Sequence, residues 1–284
     1  MKRAHFFSGM AAFRATRQFV VLAGLAALLV AVAGSRASGE PAQKIDVSTI
    51  PATVVDNVII PVPSEVFGVL DKLGSPNWQS VLRPTASKPL GERPQVALLL
   101  GTVIAEGFIA VEAEDAEAVK EIGRSVLSLA SAIGVRKSVT ARSNAIIETA
   151  DARDWQRVRV ELDGALHDVR EAMMELKDEQ LAHLVSLGGW LRGTEALTEI
   201  VTKNYSADSA ELLHQPTLLT FFERRLSEMD ARMKNHELVA KIERKLPELR
   251  VLIGNGAAGI PTESVRQINT IASDLVKSVS SKPS

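Results

Sequence analysis

"WQRVRVELDGALHDVREAMMEL", residues 155–176, decides the fold. Trp155, Val158, Leu162, Ala165, Val169, Ala172 and Leu176 follow one another at alternating steps of three and four. At 3.6 residues per turn, that spacing draws a single apolar seam along a helix. A helix with one oily side is stable only when neighbours share it. The same rhythm recurs in Phe222, Leu226, Met229 and Met233, then in Ile242, Leu246, Leu249 and Ile253, then in Val265, Ile268, Ala272, Leu275 and Val279.

Stop and start signals separate the seams. "KDEQ" follows Leu176, and "NYSADSAE" offers Asp208 with Glu211 three residues on, a capping pair. Pro216, Asn235 and "GNGAAGIPTE" interrupt the chain again, and Pro247 inside a seam predicts a kink or a restart. No seam outlasts about four heptads, which favours a compact antiparallel bundle over an extended coiled coil. No sequence self-similarity appears at a period of about 30–50 residues, so a repeat solenoid is weaker. The fold class is therefore all-α: a compact antiparallel bundle of about eight or nine helices.

"QVALLLGTVIAEGFIAVEAED", residues 95–115, is apolar on nearly every side and belongs at the buried centre. Glu106 in its middle argues against a membrane span. Asp115 caps the next helix, which closes at Gly134, and a further helix covers 137–149. Upstream, "RPTASKPLGERP" (83–94) reads as a loop held by three prolines. Ser75-Pro76 starts a short helix with Trp78 as its packing residue, and Ser64 caps another ending near Gly74. "TVVDNVIIPVP", residues 53–63, is the one strand-like segment of the mature chain. Val54, Val55, Val58, Ile59 and Ile60 are β-branched, and Pro61 and Pro63 forbid a helix. It is expected as an N-terminal extended arm laid over the helices, or as an edge for a partner's strand.

The first residues speak to compartment. Lys2, Arg3, Arg14 and Arg17 precede the 16-residue apolar run "FVVLAGLAALLVAVAG" (19–34), seven of whose residues are Ala or Gly. The run is shorter than the ~20 residues of a spanning helix and ends in small residues, the pattern of a secretory signal peptide. Residues 1–33 are expected to be removed, with a second cleavage site after 37. Residues 34–52 form a flexible linker and 53–284 the helical domain. The expected address is periplasmic or secreted, with no stable membrane anchor after cleavage; an uncleaved segment would make a membrane-tethered interaction protein.

Of 33 basic residues four leave with the signal, against 34 acidic ones, so the mature chain carries about five negative charges. Such a chain is a poor partner for nucleic acid, and no basic stripe interleaved with aromatics is present. The absence of cysteine excludes disulfides, thiolate metal sites and a Cys nucleophile.

Few residues carry chemistry. A carboxylate amid "GTVIAEGFIAV" must be paired or surrender its charge, and Arg142, Arg159 and Arg192 are the available partners. Gly101 and Gly107 beside Glu106 let a helix come close. "LGGWLRG" (187–193) lacks the phosphate-loop pattern; its glycines suit close helix packing, with Trp190 and Arg192 alongside. Glu106, Arg192 and Trp190 are the ligand-binding candidates. His167, Glu171, Glu175, Glu179 and His183 climb in steps of four, and His167 with Glu171 is the weak metal candidate. Successive steps drift about 40° around the helix, so the ladder reads as solvated charge and no metal site is expected. "TLLTFFERRL" (217–226) is apolar on two sides and belongs to the core.

No catalytic motif and no cofactor fingerprint emerges, and no cofactor is expected. The leading expectation is an exported non-enzymatic binding or scaffold protein meeting a protein partner through its helical surface or arm. The alternative is a small-ligand or metal-binding bundle, enzymes included, with an interior site around Glu106.

Overall fold

The computed structural model describes residues 76–84, 88–254 and 259–282, together with the backbone of 52–55 and 58–61. The segment expected to be a signal peptide, nearly all of the linker expected over 34–52 and the helix expected after Ser64 lie outside the described residues.

Apart from the arm, the described residues form an all-helical bundle. The first five α-helices of the described residues are α1 (Arg93–Glu112), α2 (Ala116–Ala132), α3 (Arg136–Asp151), α4 (Trp155–Glu175) and α5 (Glu179–Lys203). A single turn, α6 (Ala207–Glu211), leads to α7 (Pro216–Glu228); another, α8 (Ala231–Lys234), precedes α9 (Glu237–Ile253) and α10 (Thr262–Ser280). Eight of these helices have thirteen residues or more.

Packing organises them as two four-helix rings. Helices α1 to α4 form the first, each touching the next and α4 closing onto α1. Helices α5, α10, α9 and α7 form the second in that spatial order. The rings are joined mainly through α1 and α5. Three-residue connections link α1 through α5, so direction alternates and α1 and α5 run the same way.

The four connections share one geometry. Each has a residue of positive φ: Glu114 (53°), Gly134 (90°), Arg153 (55°) and Lys177 (59°). The following amide reaches back to the carbonyl five residues earlier, as Asp115 to Ala110, Val135 to Ala130, Asp154 to Thr149 and Asp178 to Met173, at 2.8–2.9 Å. The αL amide itself bonds three back, Glu114 to Val111 at 3.0 Å for example. These are Schellman closures, which satisfy carbonyls left open at a helix end. Asp115 and Asp154 then cap the next helix, accepting from Ala118 N–H and Arg157 N–H at 3.0 and 3.1 Å.

Helix α1 is the core of the molecule. Every residue from Pro94 to Val111 is buried. It is long and apolar enough to cross a membrane, and its apolar window lies wholly inside the protein. The seams of α9 and α10 are buried as expected, and Leu218, Leu219, Phe221 and Phe222 of α7 lie in the core.

Several expectations are corrected. Leu176 is 54% exposed, because α4 ends at Glu175 and the αL residue Lys177 swings the chain away; Met173 takes the buried place. The seam through Met229 and Met233 is not one helix, since Met229 turns to extended backbone and Asp230 caps a new turn. Helix α9 does not restart at Pro247. The capping residue before α6 is Ser206, in a reciprocal box with Ser209, and Asp208 sits in the first turn. The segment at Trp78 is a 3-10 turn (Trp78–Val81) capped by Asn77, with Pro76 outside it.

The arm is extended, as its β-branched residues require, and it also pairs with itself. Strands β1 (Ala52–Val55) and β2 (Val58–Pro61) are antiparallel, with Val55 opposite Val58 and Ala52 opposite Pro61. Backbone groups along the facing edges of the two strands are thus satisfied internally. β2 lies beside α7.

Candidate functional site

The junction of the two rings is built on missing side chains. A Cβ on Gly101 would stand 1.9 Å from the Val185 carbonyl oxygen, and one on Gly188 2.0 Å from that of Leu98. Only glycine permits so close a backbone approach. Five residues beyond Gly101 on α1 is Glu106; four beyond Gly188 on α5 is Arg192. Because the helices run the same way, the close approach that aligns the glycines also brings these two side chains together.

Both side chains are buried, and Arg192 Nε donates to Glu106 Oε2 at 2.5 Å. The pair is part of a quartet. Arg192 Nη1 donates to Glu195 Oε2 at 3.2 Å, and Arg83 Nη2 stands 2.6 Å from Glu195 Oε1. Two carboxylates face two guanidiniums, so the charge balances, which burial at this depth requires. Glu195 is 0% exposed, whereas the Arg83 side chain is 40% exposed and forms the rim.

The remaining donors and acceptors turn to one short stretch of main chain. Arg83 N–H donates to Glu106 Oε1 at 2.6 Å, and Arg192 Nη2 donates to the Val81 carbonyl at 2.6 Å. Lys203 Nζ reaches Ser80 Oγ at 2.9 Å, and Trp78 and Val81 are buried against the bundle. Residues 76–84 therefore form a strap over the α1–α5 seam, held by the buried charges. Helix α10 closes the other side, with Asn269 Nδ2 donating to the Glu195 carbonyl at 3.1 Å. A cleft of about 40 Å³ remains, lined by Arg83, Thr102, Glu106, Arg192, Val276 and Ser280 among others. That is room for about three water molecules.

No family model, no curated protein and no solved structure matches the chain.

The structure thus joins two of the three ligand candidates and separates the third. Trp190 faces α7, where its Nε1–H donates to Gln215 Oε1 at 3.0 Å and its ring lies 5.5 Å from Phe222. Of the cations considered for Glu106, Arg142 pairs with Glu161 and Asp168 of α4, and Arg159 with Glu112. His167 and Glu171 stand 4.0 Å apart on the exposed face of α4, their side chains 64% and 63% exposed. Among the described residues no group of three or more His, Asp or Glu side chains is placed to hold a metal ion.

Glu195 and Arg83 are the members that sequence reasoning missed. Glu195 had a signal: a second ionisable residue three after Arg192, inside the apolar run "EALTEIV". Arg83 had none, because its partner lies more than a hundred residues away in a different element.

Proposed function

We propose that this chain is an exported, non-enzymatic helical protein that binds or scaffolds a protein partner through its helical surface or N-terminal arm. The observation that supports this reading is the occupancy of Glu106. Both its carboxylate oxygens accept hydrogen bonds from the chain itself, one from the strap amide of Arg83 and one from Arg192. A general base needs an oxygen within reach of a substrate proton. Here the charges hold a strap, and a cleft of about 40 Å³ is far below the several hundred that bury an organic ligand.

Two measurements test this. A photo-crosslinking residue at Val251, which is 79% exposed, or in the arm at Val54, is expected to trap a discrete protein adduct in the extracytoplasmic fraction. N-terminal sequencing of that material is expected to begin after residue 33 or 37. A stoichiometric metal in the purified protein would overturn the reading. So would a small molecule that raises the melting temperature of the native protein and not of E106Q. Recovery of intact Met1 with the membranes would instead favour the tethered form.

A further inference from the structure

The strap over the α1–α5 seam does not fill its seat. Of residues 76–84 only Trp78 and Val81 are buried. Beside the strap lies the cleft of about 40 Å³, where Leu99, Thr102, Val103 and Val276 stand next to Glu106 and Arg192. The carboxylate that Arg83 faces is also underserved. Glu195 Oε1 is buried and receives no aligned hydrogen bond among the described residues, although Arg83 Nη2 stands 2.6 Å away. A buried carboxylate oxygen without an aligned donor costs stability that a better-placed donor would recover.

The seat also states what it accepts. Without the strap, Glu106 and Glu195 would share Arg192 alone, one negative charge in excess. The charged groups alongside do not cancel it. Lys203 pairs with Glu199, and Asp115, which meets Gln79 at 3.4 Å, adds a further carboxylate. The seat therefore calls for a cation in the place of Arg83 and for apolar side chains in the places of Trp78 and Val81. Between them it calls for a main-chain carbonyl to meet Arg192 and a main-chain N–H to meet Glu106.

We propose that the strap is an autoinhibitory occupant of a peptide-docking groove. The segment it keeps out belongs to a protein partner and carries the same signature: an aromatic residue, an aliphatic one three positions on, and an arginine two beyond that. A guanidinium that meets Glu195 Oε1 in line gains what the strap forgoes. With either occupant Glu106 and Arg192 keep main-chain partners, so the buried charges stay satisfied. The tether sets the threshold, since it holds the strap at a roughly millimolar effective concentration. Only a tighter segment, or one whose protein also holds the arm upstream, displaces it. This inference rests on the reading that the chain binds a protein partner, and it names the groove and the chemistry of the segment.

The probe is a fluorescein-labelled synthetic peptide of residues 76–84, PNWQSVLRP, titrated into the full-length protein and followed by anisotropy. In W78A, whose own strap has lost its anchor, saturable binding is expected, about tenfold or more tighter than to the wild type. The same peptide carrying R83Q should bind about tenfold more weakly, because it lacks the charge that Glu195 requires. Equal binding to wild type and W78A, an undiminished response from the R83Q peptide, or no saturation with folded W78A overturns the proposal. Should W78A fail to fold by circular dichroism, the R83Q protein takes its place, because the Arg83 side chain lies at the rim. Peptide binding without a crosslinked adduct at Val251 or Val54 supports the groove and removes the surfaces assigned above. An adduct there without peptide binding overturns the groove and leaves that reading standing.

Discussion

Gly188 of α5 stands against Leu98 of α1 so closely that a β-carbon on the glycine would overlap the leucine carbonyl, at 2.0 Å. The obstacle is backbone at the centre of the molecule, which cannot rotate aside. Gly188→Ala is therefore expected to cost about 3 kcal/mol or more, or to prevent folding. Gly193, one and a half turns later on the same helix, meets nothing within 4 Å. Gly193→Ala is expected to stabilise by about 0.5–1 kcal/mol, because it removes only the backbone entropy of a helical glycine. Urea denaturation of the two variants checks both signs within one seven-residue motif.

The buried quartet makes a prediction about coupling. Arg192→Met leaves Glu106 and Glu195 without their shared cation and is expected to cost about 3–5 kcal/mol. Glu106→Ala is expected to cost about 3 kcal/mol, since it strands both Arg192 and the Arg83 amide. The double variant should be less destabilised than the sum, by about 1–3 kcal/mol, because the second change removes a charge that the first left unpaired. Native-state hydrogen exchange gives an independent reading. The Arg83 amide should be protected although it lies outside any helix, and E106A should remove that protection.

Three of the four Schellman connections place a residue with a β-carbon at positive φ. Glu114→Gly, Arg153→Gly and Lys177→Gly are each expected to stabilise by about 0.5 kcal/mol, the relief of αL strain exceeding the added freedom of the unfolded chain. Gly134→Ala, at the fourth, should cost about 1 kcal/mol. Thermal melts of the four single variants would show it.

His183 sets a pH dependence. Its imidazole is held below its ordinary value in the folded protein, so the unfolded chain binds the proton more readily. Its contribution to stability is complete above about pH 6.5 and is lost as pH falls from there through the lower folded value. Stability measured in chloride should decline over that acidic window, and His183→Gln should flatten the decline. An unchanged slope in H183Q would assign the effect elsewhere.

What the sequence by itself determined is the helical architecture. The three-and-four spacing of Leu, Val, Ile and Ala is a local property that needs only the helix pitch to be read, and the seams of α9 and α10 are buried residue by residue as spaced. The central place of α1 followed from its being apolar all round, and Glu106 had to find a cation.

Tertiary structure decided the rest. The connections that order the first ring share one geometry with four different sequences, Glu-Asp, Gly-Val, Arg-Asp and Lys-Asp, and only one carries the glycine that marks such a turn. Packing of the helices on either side compensates a left-handed residue, so its chemistry leaves no mark. The break at Met229 and the continuity through Pro247 likewise depend on what each helix packs against. Arg83 joins Glu195 across 112 positions of sequence, and the choice of Arg192 over Arg142 or Arg159 for Glu106 rests on which helix Gly101 and Gly188 admit to contact. Periodicity states that a face will be covered. Only the folded chain specifies which residues cover it, because pairing between distant segments is settled by shape and desolvation, not by local propensity.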